Sequence, residues 1–238
     1  MGLLDLFRPN TREVAETRSA LEAAEDPAQD PTAIDRLVRI LLDTGLDGVG
    51  PLDSAATYAA EAKAKTNDTE AAVNLVARRH LAGGAIGGFA TGVGGFATAL
   101  IAMPVNVLEF YVQATRMVGS IATLRGYDVT DPQVRTAVLL TLVGSHAEEV
   151  LAKAGVSTGG GRLGGLLLNR VPASGLMIIN KAIGFRLLRG VSEKLLSRLG
   201  RGIPLAGGVI GGTIDGFMMK KIADQAMKEF PAKHPMPS

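Results

Sequence analysis

The stretch LAGGAIGGFATG at 81–92 returns as LAGGVIGGTIDG at 205–216, with eight of twelve positions identical. Each copy carries GxxxGxxxG, so that Gly84, Gly88 and Gly92, and likewise Gly208, Gly212 and Gly216, stand four residues apart. On a helix that spacing lines one face with positions that have no side chain, and a neighbouring backbone can approach closely. A glycine inside a helix costs about 1 kcal/mol relative to alanine, so three on one face are worth keeping only where close packing or a kink returns the energy. Faces of this kind are known chiefly from helices packed within membranes. The repeat therefore predicts an all-α fold, a multi-helix bundle around two glycine-zipper helices. The competing reading is a phosphate loop. GVGGFA at 92–97 fits G-x-G-x-x-A, but no β-branched run precedes it and no strand alternation surrounds it.

The rest of the composition agrees with helices. Of 238 residues, 47% are hydrophobic and only 4% aromatic, an aliphatic balance with a mean hydropathy of +0.23 that is high for a soluble protein and brings lipid contact into the argument. The length suits one large domain or two small ones. Cysteine is absent, which excludes disulfides, thiolate metal sites and cysteine nucleophiles, and is compatible with the cytoplasm. The start, MGLLDLFR, has no secretory-signal pattern, and Leu6 stands where N-myristoylation needs Ser or Thr.

Charge is distributed unevenly. Residues 1–80 hold nine Lys or Arg against fourteen Asp or Glu, a balance of −5, whereas residues 162–201 hold eight basic and one acidic residue, a balance of +7. A basic helix beside apolar ones suits an anionic membrane surface or nucleic acid. Membrane is favoured, because Phe185 alone supplies an aromatic ring among these cations and no nucleic-acid motif is present. The residues expected to meet headgroups are Arg186, Arg189, Lys194, Arg198 and Arg201. A solvated basic face without a partner is the plain alternative.

Three regions are expected: an N-terminal helical extension at 1–50, a helical domain at 51–230 and a disordered tail at 231–238. In the first, a charged helix at 10–25 and a break at DPAQDP precede a helix with Pro31 at its first position, ending at Gly45. Asp53 is placed to cap the next helix, and Asn67 with Glu70 forms a capping box for another leading to His80. Residues 81–108 then run for 28 positions without a charge, against about 20 needed to span a bilayer as a helix. Pro104 divides this run, and the second zipper is uncharged only over 202–214, too short to span without carrying Asp215 inside. Partial insertion, or burial of both zippers within a bundle, accounts for that difference better than two regular spans.

Over 104–125, Asn106, Glu109, Gln113, Arg116, Ser120 and Thr123 recur every three or four positions, a narrow polar stripe on an apolar rod. The stripe either faces water or lines an internal seam. Asp131 caps a helix running through TAVLLTLVGSHAEEVLAKAG, STGGGR at 157–162 is a connector, 163–171 is a short apolar helix, and 174–200 is a long basic one. On that helix Met177, Lys181, Phe185, Leu188, Ser192, Leu195 and Leu199 follow heptad-like spacing. Lys181 thus falls in an apolar seam and is expected to snorkel or to pair with a buried acid, Asp215 or Glu109.

The Gly-rich run, the Ala102-Met103-Pro104 step, IATLRGYDVTDPQVR at 121–135 and IPLAGGVIGGTIDGFMMKKIADQAMKEF at 203–230 together resemble the EcsC family over roughly residues 55–230. The resemblance implies a bacterial, α-helical, membrane-associated protein and assigns no reaction. Met103 departs from the acidic residue often found before the proline in that family, and Asp215 stands where asparagine is common.

Catalytic chemistry finds no support in the residues. His80, His146 and His234 are scattered; no HExxH, G-x-S-x-G, kinase set or P-loop occurs, and His146 with Glu149 offers two metal ligands at best. The sequence thus points to a non-enzymatic protein, with no cofactor or metal, that docks on or partly inserts into an anionic bilayer at the cytoplasmic face of the membrane. Alternatives are a soluble α-bundle enclosing an apolar ligand such as lipid, and an accessory subunit of an ABC transporter or secretion system.

Overall fold

The computed structural model describes residues 31–50, 52–82, 105–156, 171–200 and 208–233, with the backbone alone for 82, 105, 106, 191–200 and 208–215. Eight α-helices and no strand occur among the described residues, packed together as an all-α bundle. The first zipper, with Gly84, Gly88 and Gly92, lies outside the described residues, as do the side chain of Asn106, the connector at 157–162, all but residue 171 of the short helix expected at 163–171, and residues 1–30.

Helix α1, Pro31–Ile40, starts on a proline whose fixed φ suits a first turn and buries Ala33, Ile34 and Leu37. It does not stop at Gly45. The chain continues as a π-helical turn, Leu41–Asp47, and leaves the helix at Gly48 with φ 78°. Gly45 serves packing instead of termination: a Cβ there would lie 2.7 Å from the Thr115 Cβ and 3.1 Å from the Val112 carbonyl oxygen. Gly45→Ala is therefore expected to lower stability by about 2 kcal/mol, because overpacking against a rigid Cβ and a backbone oxygen outweighs the gain in helix propensity. A urea-unfolding midpoint equal to or above the parent's would contradict this.

Helix α2, Ala55–Ala64, is capped by Ser54, whose hydroxyl accepts the Thr57 N–H at 3.0 Å, one residue after the expected Asp53. Helix α3, Thr69–Ala82, is preceded by Asp68, whose carboxylate accepts the Ala71 N–H at 2.7 Å. The Asn67–Glu70 box is not the arrangement found, since Glu70 pairs with Arg125. Helix α4 covers Val105–Leu124, and Asp131 caps α5, Pro132–Leu142, through the Gln133 N–H at 2.7 Å. The single helix expected beyond Asp131 breaks at Gly144, whose φ of 57° is left-handed, into a 3-10 turn, Gly144–His146, and α6, Ala147–Lys153. Helices α7, Ala173–Gly200, and α8, Gly208–Glu229, complete the set.

Helix α4 stands at the centre, in contact with the π-helical turn, α2, α3, α5 and α8, while α7 packs on the outer side against α1, α5 and α6. One hydrophobic core joins Leu37 and Leu41 to Met117, Leu139, Ile183 and Phe230. Residues 31–47 thus contribute Ala33, Ile34, Leu37, Leu41 and Leu46 to that core. No helix among the described residues is long and apolar enough to cross a membrane.

The loop after α4 clamps the end of α8. Arg125 donates to the carbonyl oxygens of Met227 and Phe230 at 2.5 and 2.9 Å and to the Glu70 carboxylate at 2.7 Å. The Tyr127 hydroxyl donates to the Pro231 carbonyl at 3.0 Å, its ring meets Phe230 edge-on, and the Lys233 ammonium lies 4.4 Å from its centroid. The expected tail is therefore docked as far as Lys233. Of the second zipper, Gly208 and Gly212 are described by backbone only, and a Cβ on Gly216 would meet no described residue within 4 Å.

Candidate functional site

The polar stripe of α4 faces inward. Glu109 and Arg116 are 8% and 3% exposed, Ser120 is fully buried and Gln113 half-buried. A helix enclosed by five others has no dry-free face to offer, so its polar groups turn to backbone carbonyls. Ser120 donates to the Ala55 carbonyl at 2.9 Å, Thr115 to Tyr111 at 2.7 Å and Thr123 to Gly119 at 2.9 Å. Arg116 reaches the Thr44 carbonyl of the π-helical turn at 3.5 Å while its Nε has no partner. Glu109 Oε1 is likewise buried without a partner, and no ion pair links the two among the described residues. Burial raises the Glu109 carboxyl above its ordinary value and lowers the Arg116 guanidinium, which Asp53 and Tyr58 partly hold up.

His80 joins this seam from α3. Its ring packs edge-on against Tyr58 at 4.9 Å, and Nδ1 lies 3.0 Å from the Val76 carbonyl oxygen, which can only accept, so the proton sits on Nδ1. Burial drives the imidazole down to about 4; the Val76 hydrogen bond opposes the shift, and Arg116 and Arg79 add to it. Nothing in the local sequence pattern marked His80, since Tyr58 and Arg116 reach it from other helices.

The second cluster lies on α7. Leu176, Ile179, Ile183 and Leu187 are buried, and that spacing turns Met177, Ile178, Lys181 and Arg189 outward along one side, with Phe185 half-buried against the core. Met177 and Ile178 are 57% and 61% exposed. The heptad seam expected through Met177 and Lys181 is therefore corrected. Lys181 is at the surface and pairs with Asp35 at 3.5 Å, so it is no buried charge and does not pair with Glu109. The side chains of Asp215, Lys194 and Arg198, and the whole of Arg201, lie outside the described residues.

Between α6 and α7 a cleft of about 270 Å³ is lined by Glu149, Val150, Lys153, Ala182, Phe185, Arg186 and Arg189. Glu149 accepts from Arg186 and from Lys153, the latter at 3.0 Å. The Lys153 hydrogen bond and the Arg186 guanidinium hold its carboxyl below the usual range. Lys153 could have been found from its i,i+4 spacing to Glu149; the approach of Arg186 could not. No group of three His, Cys, Asp or Glu residues that could hold a metal ion occurs among the described residues. Compared with family models, curated proteins and solved structures, the chain matches none.

Proposed function

We propose that this chain is a non-enzymatic, EcsC-like, membrane-associated protein that docks on an anionic bilayer at the cytoplasmic face of the membrane. The observation that carries the proposal is the outer side of α7, where two neighbouring large apolar side chains, Met177 and Ile178, stand in solvent one turn before the exposed Lys181, with the exposed Arg189 two turns beyond that. Apolar side chains that enter the headgroup boundary gain burial, and each nearby Lys or Arg adds about 1 kcal/mol on an anionic surface. Phe217 on α8 repeats the combination: it is 60% exposed, with the Lys221 ammonium 4.6 Å from its ring centroid. The charge balance of +7 over 162–201 points the same way. In this proposal no membrane span is required.

Flotation with phosphatidylcholine vesicles, with and without phosphatidylglycerol, at low and high salt tests the proposal. Binding to the anionic vesicles that weakens at high salt is expected. The Met177→Ser, Ile178→Ser double variant is expected to lose about tenfold or more of the binding, since each apolar side chain contributes about 1.5 kcal/mol or more when buried. Equal recovery in the unbound fraction for all vesicles would remove the proposal.

A further inference from the structure

We infer that the α6–α7 cleft is a seat for the phosphate of an anionic phospholipid, held closed in the free protein by Glu149. The inference rests on the membrane-docking proposal and adds to it a specific headgroup site. Arg186 and Lys153, from two different helices, converge on one carboxylate, which is the arrangement that receives an oxyanion. Here an internal oxyanion occupies it. The carboxylate is about half exposed, at 46%, and the Lys153 side chain more so, at 72%. The Lys153 pair, this open to solvent, contributes little; Arg186 is 28% exposed, so an arriving phosphate replaces Glu149 there by exchanging one oxyanion for another.

The remaining lining selects the source of that phosphate. Val150, Ala182 and Phe185 form an apolar wall, which free phosphate does not use and the glycerol and upper acyl carbons of a lipid do. Phe185 lies on the same side of α7 as Ile178 and Lys181, two turns further along. A lipid with its phosphate between Arg186 and Lys153 and its upper carbons on Phe185 therefore continues along the side of α7 on which Ile178 faces outward. Arg189, one turn beyond Phe185, lines the same cleft.

Flotation of the full chain on phosphatidylcholine vesicles containing phosphatidylglycerol tests the inference with three variants. Glu149→Gln is expected to bind roughly fivefold more tightly, because it releases both cations, and Arg186→Gln roughly fivefold more weakly. Glu148→Gln, an equal change of net charge on an exposed neighbour, is expected to change binding less than twofold. If Glu149→Gln and Glu148→Gln strengthen binding equally, the effect is net charge and the seat is overturned. If wild type floats but neither Glu149→Gln nor Arg186→Gln alters it, the seat is overturned while docking stands. If wild type does not float at all, the docking proposal itself fails. Inorganic phosphate added as competitor is expected to leave wild-type flotation unchanged at matched ionic strength. Competition by it would show a free-phosphate site and overturn the lipid assignment.

Discussion

Replacing Arg125 by leucine is expected to lower the unfolding free energy by about 3 kcal/mol, because hydrogen bonds from a charged donor contribute about 1.5–3 kcal/mol each and their loss strands buried acceptors. The Arg125 side chain is 9% exposed and serves three acceptors: the carbonyls of Met227 and Phe230 and the carboxylate of Glu70. The two carbonyls belong to the end of α8, where a helix leaves such groups without an internal partner. A cation at a helix C-terminus also meets the negative end of its dipole. Leucine keeps much of the volume and satisfies none of this. The expected signature is a fall in urea midpoint together with faster amide exchange over 223–230, the last turns of α8. Glu70→Gln, by contrast, is expected to cost under about 1 kcal/mol, since that carboxylate is half exposed. A loss for Arg125→Leu no larger than for Glu70→Gln would show that the clamp does not hold the helix end.

The second large effect is acid sensitivity through His80. Its imidazole is held neutral in the fold, with a value of about 4 against an ordinary 6.5. Below pH 6.5 the unfolded chain takes up a proton that the folded chain refuses, so this contribution is complete above pH 6.5 and is lost as pH falls towards 4. A shift of that size corresponds to about 3 kcal/mol. Beyond the lower limit the folded imidazole titrates too and the loss stops. Glu109 acts with the opposite sign, since burial raises its carboxyl and its ionised form weighs against folding as pH rises. Subtracting the pH profile of His80→Gln from that of the parent isolates the histidine. The difference is expected to grow between pH 6.5 and 4 and to be flat above 6.5. A difference flat across the whole range would mean that His80 titrates alike in the folded and unfolded chain, contrary to its burial against Tyr58.

Local chemistry was the legible part of this sequence. Asp131 followed by Pro132 announces a helix start by itself, and α5 begins there. The spacing of Glu109, Gln113, Arg116 and Ser120 identifies one face of α4, because helix geometry alone decides which residues share a face. Whether that face meets water depends on what covers it, and the π-helical turn and α2 that do so come from 60 or more positions earlier in the chain, as in the pairs Arg116–Thr44 and Ser120–Ala55. On α7 two registers both contain apolar residues. The one through Met177 and Lys181 and the one through Leu176, Ile179, Ile183 and Leu187 differ by about 135° of rotation, and only the packing of α1, α5 and α6 chooses the second. Gly45 looked like a stop because glycine usually is one at a helix end; Thr115, seventy positions away, is the reason it is there instead.

The chain contains no tryptophan, so Ile178→Trp and Val49→Trp each create a single reporter at an exposed position, the first on α7 and the second in the loop after the π-helical turn. The direct measurement is quenching of each reporter by brominated acyl chains in phosphatidylglycerol-containing vesicles that the protein has bound. The account predicts strong quenching and a blue shift for Ile178→Trp and neither for Val49→Trp. Bound protein in which the tryptophan at 178 stays unquenched would contradict it, since the bilayer would then be meeting some other part of the molecule.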